Sequence, residues 1–395
     1  EMSLEQMAHW AKLKGVHLVG TGDFTHPAWF LELKEKLAPA ELEGLYQCQG
    51  VLFILTAEVA NFFNLRGRSY KMHNLIFAPS LEVALRINQR LRRYGSLSVD
   101  GRPALALSAH DLLKIVKDLS AEAYIVPAHI WTPWFSLFGS RSGFDSIADC
   151  FGEDAGEIYA LETGLSSDPP MNWRWSALDR ITLISNSDAH SPSRLGREAN
   201  VFAEPTDFGG LRNAMAGHDG KKLLYTIEFF PEEDKYYYDG HRLCNVLSSP
   251  AQSRTHHNFC PVCHKPLTEG VMHRVEELAD RPEGFRPPSA IPYRRLIPLE
   301  EVIAQVTKRQ VGTEAVENEY MKLVQTFGSE LNVLMDTPVP YLEKVTTQEL
   351  ARAISLVRQE QVSIIPGFDG IYGKIEIRWK TMPEPAEEAV QIHLF

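Results

Sequence analysis

The sequence predicts an α/β protein in three parts: a β/α sheet or barrel, a small zinc-binding module, and a C-terminal α+β region. β-like runs and helical patterns alternate up to about residue 220, which is typical of a parallel sheet or barrel. Cysteines cluster between 221 and 290, and helical stretches followed by a hairpin pattern fill 291–395. We therefore expect domains at 1–220, 221–290 and 291–395.

The first part contains six predicted strands and four predicted helices. The strands are expected at 17–20, 51–59, 74–77, 124–126, 157–161 and 181–184, and the helices at 4–14, 81–93, 108–119 and 207–216. Ser3 and Gln6 form a capping-box pattern at the first helix. Because the chain opens with Glu1 directly before this helix, we expect that an upstream segment is missing.

The last part follows a proline-rich connector. The prolines are Pro282, Pro287, Pro288, Pro292 and Pro298. Helical patterns lie around 299–307 and 346–358, and a hairpin is expected at 362–379, turning at 366–370.

Composition restricts the class of function. The 395 residues carry a net charge of −11, which counts against a general nucleic-acid binder. Three basic clusters soften this objection, and they lie at Arg66/Arg68/Lys71, Arg86/Arg90/Arg92/Arg93 and Arg281/Arg286/Arg294/Arg295. No membrane span is expected, and five cysteines without disulfide spacing favour a cytoplasmic protein.

Ligand-type side chains follow the apolar runs of several predicted strands. They are Asp23, His26, Glu58, His129, Glu162, Asp188 and His190. Residues at the C-terminal ends of barrel strands converge on one face, and histidines with carboxylates suit zinc, manganese or iron. A cation held there makes water a nucleophile at neutral pH. His73 is the exception, because it precedes its apolar run.

These residues resemble the motifs of the polymerase-and-histidinol-phosphatase (PHP) superfamily, whose members use a distorted seven-stranded β/α barrel. The resemblance implies two or three divalent cations (zinc, manganese or magnesium). Glu58 would bridge two of them, with Asp188 on the first and His73 and His129 on the second. His26 and His190 would hold the third, with Asp23 as the candidate for a further ligand. The family's opening His-x-His strand has no counterpart here. The catalytic residues expected from this resemblance are Glu58, Asp188 and His190.

A second motif predicts one structural zinc ion. His241-x-x-Cys244 and Cys260-Pro261-Val262-Cys263 have the spacing of two zinc knuckles, and four protein ligands leave no open position for catalysis. The fourth ligand stays open at this point, since other histidines compete with His241. These are His256, His257, His264 and His273.

Longer strings resemble the endonuclease Q family over nearly the whole chain. They are 240–242, 260–263, 270–281 and 366–373. The family nicks DNA on the 5′ side of deaminated bases such as hypoxanthine, uracil and xanthine, and at abasic sites. The resemblance implies DNA with deaminated bases as the substrate, a role in DNA repair, and repair or replication proteins as further partners.

Reading one altered base requires taking it out of the stack, so a base pocket is expected. Its predicted wall is the 163–173 loop and the 367–373 turn, with substrate contacts from Ser166, Ser167, Asp168, Asn172, Gly367, Asp369, Gly370 and Tyr372. The glycines would permit close approach of a ligand. Trp131, Trp134 and Phe135 are interpreted as packing residues rather than base-stacking ones.

Two rival functions remain open. The acidic charge favours a small-molecule phosphatase on the same barrel, although such an enzyme needs no zinc module. The missing His-x-His favours a non-catalytic DNA-binding subunit.

Overall fold

A computed structural model of the protein describes residues 2–217 and 222–379. In the first of these ranges the strands are Leu18–Gly20 (β1), Ala38–Pro39 (β2), Tyr46–Cys48 (β3), Val51–Leu65 (β4), Arg68–Ala78 (β5), Ala104–Leu105 (β6), Tyr124–Pro127 (β7), Ala160–Glu162 (β8), Thr182–Ile184 (β9) and Ala199–Phe202 (β10). The α-helices are Leu4–Lys14 (α1), Pro27–Lys36 (α2), Leu81–Leu91 (α3), Ala109–Leu119 (α4), Ile147–Phe151 (α5), Pro169–Trp173 (α6) and Phe208–Met215 (α7).

The second range contains shorter strands and a helical C-terminal part. The strands are Leu223–Glu228 (β11), Asp239–His241 (β12), Val246–Ser248 (β13), Tyr293–Arg295 (β14), Val362–Ile365 (β15) and Lys374–Ile377 (β16). The α-helices are Pro250–Thr255 (α8), Val271–Leu278 (α9), Leu299–Thr307 (α10), Glu314–Phe327 (α11), Val339–Leu342 (α12) and Gln348–Arg358 (α13), with a π-helical turn at Asn332–Asp336. Short 3-10 helices lie at Gly152–Glu157, Ser176–Leu178, Pro192–Arg194, Pro231–Glu233 and Arg242–Cys244.

The largest sheet has seven strands of mixed direction. Its order is β2-β3-β4-β5-β7, and β1 and β6 also pair with β4. β1 and β6 run parallel to β4, whereas β5 runs antiparallel to both β4 and β7. β8 and β9 form a separate parallel pair. The fold is thus mixed α/β, and the strand pairings of residues 2–217 and 222–379 do not close into a barrel.

The antiparallel β4–β5 hairpin departs from the parallel β/α repeat that the sequence suggested. The strands are joined by Arg66 and Gly67, with φ of 50° and 80°. A two-residue turn with positive φ at both positions matches the twist of an antiparallel pair. Pairing extends from Leu65–Arg68 to Leu55–Ala78. Both strands exceed their predicted bounds because their outer ends leave the core, where the apolar pattern stops.

The remaining sheets connect the three predicted parts of the chain. β11 pairs antiparallel with β10 and parallel with β14, so one small sheet includes strands on both sides of residues 218–221. β12 and β13 form an antiparallel pair, and so do β15 and β16. The predicted domain boundaries stay a prediction.

Apolar burial is the main stabilising contribution and is divided between separate cores. One core joins α1, α3 and α4 to the large sheet, with Leu4, Phe53, Ile76, Ile87 and Leu112 fully buried. A second joins the C-terminal helices α10, α11 and α13 to β15 and β16. None of the helices in the described ranges combines the length and apolar character that a bilayer span requires.

Several elements coincide with their sequence predictions. α1 and α10 have the predicted bounds, and the side chain of Ser3 accepts a hydrogen bond from the Gln6 N–H at the start of α1. The C-terminal hairpin is present, with β15 and β16 in antiparallel register. The strand predicted at 157–161 begins only at Ala160, because the chain continues from α5 as a 3-10 helix.

Candidate active site

Three of the predicted metal ligands meet on one face of the large sheet. Glu58 lies in β4, His73 in β5, and His129 follows β7. Because Ala60 pairs with His73, Glu58 and His73 are diagonal neighbours on the same face of the hairpin. The antiparallel direction of β5 also explains why His73 precedes its apolar run. In an antiparallel pair the start of β5 lies beside the end of β4, so His73 lies close to Glu58.

The donor atoms of these three residues converge. Glu58 Oε1 lies 3.2 Å from His73 Nδ1 and 3.7 Å from His129 Nε2, and these two ring nitrogens are 2.9 Å apart. His129 Nδ1 is buried without a hydrogen-bond partner. One carboxylate and two imidazoles are the ligand types of a transition-metal site, so the group fits a divalent cation.

The electrostatics of the cluster favour the metal-binding forms of Glu58 and His129. Burial opposes ionisation of Glu58, but the His73 hydrogen bond and the charges of His129 and Arg102 together lower its pKa to about 2. Burial lowers the pKa of His129 to about 4, against the attraction of Glu58. At neutral pH the carboxylate is therefore charged and the imidazole neutral.

Asp188 and His190 follow β9 and line the same cavity of about 1490 Å³ as Glu58 and His129. Asp188 Oδ1 lies 3.8 Å from His190 Nδ1. Arg197 holds the loop that carries Asp188, because its guanidinium donates to the backbone oxygens of Ser187 and Asp188 at 2.8 and 3.2 Å.

Asp23 and His26 line this cavity from the opposite loop. Burial and the nearby charge of Glu58 raise the pKa of Asp23 to about 6. His26 caps α2, since its Nδ1 accepts from the Trp29 N–H at 3.4 Å. In the described ranges the groups of three or more ligand residues are the Glu58 cluster and the cysteine cluster. A third metal at Asp23, His26 and His190 therefore stays a prediction.

Three of the predicted ligands have a strained backbone. Asp23, His129 and Asp188 have φ of 43°, 31° and 43°, a region that non-glycine residues rarely adopt. Glu162 holds His129 in place, because its carboxylate accepts from the His129 N–H and from Asn186 Nδ2, both at 2.8 Å. Strain maintained by surrounding structure is typical of functional sites.

Arg102 is a site residue that the sequence analysis missed. Its Nε lies 2.7 Å from Glu58 Oε1, and its Nη2 lies 2.6 Å from Asp188 Oδ1. The guanidinium thus lies between the two carboxylates assigned to a first metal. It stands in the loop after α3 with no motif around it, so nothing in the sequence connected it to the site.

The second ligand group contains the predicted structural zinc residues. Donor atoms of His241, Cys244, Cys260 and Cys263 all lie within 4.8 Å of one another. The group contains His241 rather than its competitors, and His273 instead binds Asp239 Oδ2 through Nδ1 at 2.7 Å. Three thiols and one imidazole at this spacing fit a tetrahedral zinc ion.

The predicted base-pocket loop is buried and internally hydrogen bonded. Asn172 Oδ1 accepts from Trp131 Nε1, and its Nδ2 donates to the Asp168 backbone oxygen, both at 2.8 Å. Asp168 caps α6 through the Met171 N–H, and burial raises its pKa to about 7 despite Arg295. Ser166 and Ser167 are also buried. Their assignment to substrate contact stays a prediction.

The glycines of the 366–373 turn lie close to the chain's own backbone. A Cβ added to Gly367 would lie 2.3 Å from Asp234 O, and one at Gly373 would lie 2.1 Å from Glu232 O. These two positions therefore require glycine for internal packing. Substrate binding by Gly367 and Gly370 stays a prediction.

Two side chains of this turn have contrasting surroundings. The Asp369 carboxylate accepts from the Arg242 N–H at 2.7 Å and from Thr268 Oγ1 at 2.6 Å, which ties the turn to the cysteine module. Tyr372, by contrast, is exposed. Substrate contact by Asp369 and Tyr372 stays a prediction.

The interpretation of the tryptophans after β7 as packing residues is confirmed for Trp131, which is buried, and wrong for Trp134, which is exposed.

Two solved structures resemble this fold closely. The lesion-specific endonuclease PfuEndoQ from Pyrococcus furiosus is 35% identical, with a TM-score of 0.84 over 95% of this chain and 90% of that one. A structure of endonuclease Q in complex with a 27-mer duplex substrate, with an abasic lesion at the active site, is 34% identical, with a TM-score of 0.83 over 96% of this chain and 92% of that one.

Two proteins are similar to this chain in sequence. Protein YqxK of Bacillus subtilis is 30% identical over 372 residues, 92% of this chain and 89% of that protein. Protein MJ0043 of Methanocaldococcus jannaschii is 33% identical over 257 residues, 63% of this chain but only 31% of that protein. The family model of the MJ0043 C-terminal domain matches residues 298–361, which contain α10 to α13.

Proposed function

The chain belongs to the endonuclease Q family, and we propose that it is a DNA repair endonuclease. It would hydrolyse the phosphodiester bond on the 5′ side of an abasic site or of a deaminated base such as hypoxanthine, uracil or xanthine. The observation that carries the proposal is the convergence of Glu58, His73 and His129 within one metal-ligand group. The abasic duplex at the active site of a solved relative supports DNA as the substrate.

The roles within the site follow from its charges. A divalent cation held by Glu58, His73 and His129 would supply Lewis acidity and a more acidic water. Asp188 would share a further cation with Glu58, and His190 would face the substrate from the exposed side of the cavity. Arg102 offers planar N–H donors that match phosphoryl oxygens, which suits the scissile phosphate.

The surrounding fold supports the same reading. Residues of β1, β4, β9 and β10 line the same cavity, which supports our proposal of a PHP-type fold although the strand pairings of the described residues do not close. We infer that zinc at His241, Cys244, Cys260 and Cys263 has a structural task. The C-terminal region, with the turn at 366–373, would complete the DNA-binding surface.

Exposed arginines suit a DNA backbone despite the acidic net charge of the chain. Arg86, Arg92 and Arg93 are exposed at α3 and form no ion pair among the described residues. The loop that follows α3 carries Arg102 into the site. Exposed arginines that lack acidic partners are available for phosphate contacts, which dominate protein–DNA affinity.

The test is incubation with duplexes that carry one abasic site, one uracil, one hypoxanthine or no lesion, in the presence of manganese. We expect a single cut 5′ of the lesion and an intact control duplex. Glu58→Gln should abolish the cut with little loss of stability. Glu122→Gln, the same change at an exposed residue in the loop after α4, should leave it unchanged.

The outcomes separate the rival functions. Hydrolysis of a generic phosphomonoester without any DNA cut would support the small-molecule phosphatase. Lesion binding without cutting, unaffected by Glu58→Gln, would support the DNA-binding subunit.

A further inference from the structure

Three aromatic side chains from distant parts of the sequence form a continuous surface path. Trp134 and Tyr236 meet edge to face with ring centroids 5.4 Å apart. Lys235 Nζ lies 5.6 Å from the Tyr236 ring and 5.7 Å from the Tyr372 ring. We call Trp134, Tyr236 and Tyr372, with Lys235, the aromatic path.

The ends of the path remain open to solvent after these contacts. Trp134 is 42% exposed and Tyr372 is 71% exposed. Packing in the core does not explain why these two rings are present, because rings that stabilise a core are buried. Exposed aromatic rings that lie next to one another mark a binding surface.

One end of the path adjoins the metal-ligand cluster. Trp134 directly precedes Phe135, whose ring centroid lies 5.0 Å from that of His73. The Phe135 backbone oxygen also accepts from the His73 N–H at 2.9 Å. Trp134 is therefore the sequence neighbour of Phe135, whose ring packs on the candidate ligand His73.

The other end is held rigidly. The Gly370 N–H donates to the Lys235 backbone oxygen at 2.9 Å, and the Gly373 N–H donates to that of Glu233 at 3.0 Å. Asp369 fastens the same turn to the cysteine module. Tyr372 is thus presented to solvent from a fixed backbone, which reduces the entropy lost when a ligand stacks on it.

We propose that the aromatic path stacks unpaired deoxynucleotides of the lesion-bearing strand beside the cut. The inference rests on the proposed function. Every base has a π-face that can stack on a tyrosine or tryptophan ring, and the Lys235 ammonium can approach the phosphate between two stacked bases. A base-paired stretch hides its faces, so the path selects DNA that has opened around a lesion.

The experiment compares DNA binding and nicking of Tyr372→Ala, Trp134→Ala and Tyr372→Phe with wild type. The matched control is Tyr341→Ala, because Tyr341 is 56% exposed and also contacts a lysine, Lys344, but belongs to α12. The substrate is an abasic duplex with 2-aminopurine beside the lesion, whose fluorescence falls when the base stacks on a ring.

Each alanine variant of the path should raise the half-saturating DNA concentration about tenfold and restore 2-aminopurine fluorescence, since each removes one stacked base. The nicking rate at saturating DNA should stay within about twofold. Tyr372→Phe keeps the ring and should behave as wild type, and so should Tyr341→Ala.

Two results would overturn the inference. If both path variants match Tyr341→Ala while wild type nicks the abasic strand, the path does not bind DNA and the proposed function still stands. If wild type neither binds nor nicks the abasic duplex, the proposed function fails and takes this inference with it.

Discussion

Replacing Arg102 with alanine tests whether its guanidinium and a cation use the same oxygens. Arg102 bridges Glu58 and Asp188 at 2.7 and 2.6 Å, and its side chain is about one quarter exposed (26%). Removing one partner of a fully buried ion pair costs about 3–5 kcal/mol. Because all three side chains retain some exposure, water screens part of this, and we expect a loss of about 2 kcal/mol.

The stability that Arg102→Ala loses should depend on manganese. Without added manganese the variant should melt about 4 °C below wild type, for a cooperative unit of about 200 residues. With manganese the difference should shrink, because the cation replaces the missing positive charge, and manganese should bind the variant more tightly. Thermal unfolding and calorimetric titration measure the two effects.

The control is Arg281→Ala, which breaks an ion pair with Asp179, since neither residue lines the cavity. It should lower stability equally with and without manganese. If Arg102→Ala also loses the same stability in both conditions, or binds manganese more weakly than wild type, the competition argument is wrong. Arg102 would then support the ligands rather than compete with the cation.

Three further changes probe the rest of the structure. Gly164→Ala should weaken manganese binding without altering a ligand, because its Cβ would lie 2.6 Å from that of His129. Gly284→Ala should leave manganese binding unchanged, because that position also has positive φ but open space around it and does not line the cavity. Metal analysis should find that Cys260→Ser contains one zinc ion fewer than wild type and that Cys48→Ser contains as many as wild type. Burial raises the pKa of Glu228 to about 8, so its stabilising neutral form is present below the unfolded value of 4.5 and is lost as pH rises through 8. Urea unfolding should therefore show that wild type loses more stability than Glu228→Gln between pH 5 and pH 8, and an equal loss would contradict the buried neutral carboxyl.

Local features were predictable because they depend on neighbours in sequence. The Ser3 cap and the bounds of α10 follow from capping and helical periodicity. The hairpin at 362–379 follows from the turn residues between two β-like runs. The direction of β5 was missed because its turn, Arg66-Gly67, lies beyond the apolar runs used to place the strands.

The site was predictable only as a set of residue types. Glu58, His73 and His129 could be named because histidines and carboxylates recur near strand ends. Arg102 could not, since its place depends on how the loop after α3 folds over the cavity. Asp369 was named for substrate contact, yet its observed hydrogen bonds join two parts of the chain that are over 100 residues apart.

The two ligand groups are linked through contiguous contacts, which gives the cysteine module a physical role. Asp369 connects the backbone of Arg242, next to ligand His241, to the 366–373 turn. The turn is hydrogen bonded to Lys235, and the aromatic path then leads through Trp134 to the residue that packs on His73. Because each link is a fixed hydrogen bond or ring contact, loss of the module's metal should misplace Tyr372 before it disturbs Glu58 or His129. Loss of zinc would then weaken DNA binding more than it weakens manganese binding. If the module only stabilised its own surroundings, loss of zinc would not have this unequal effect.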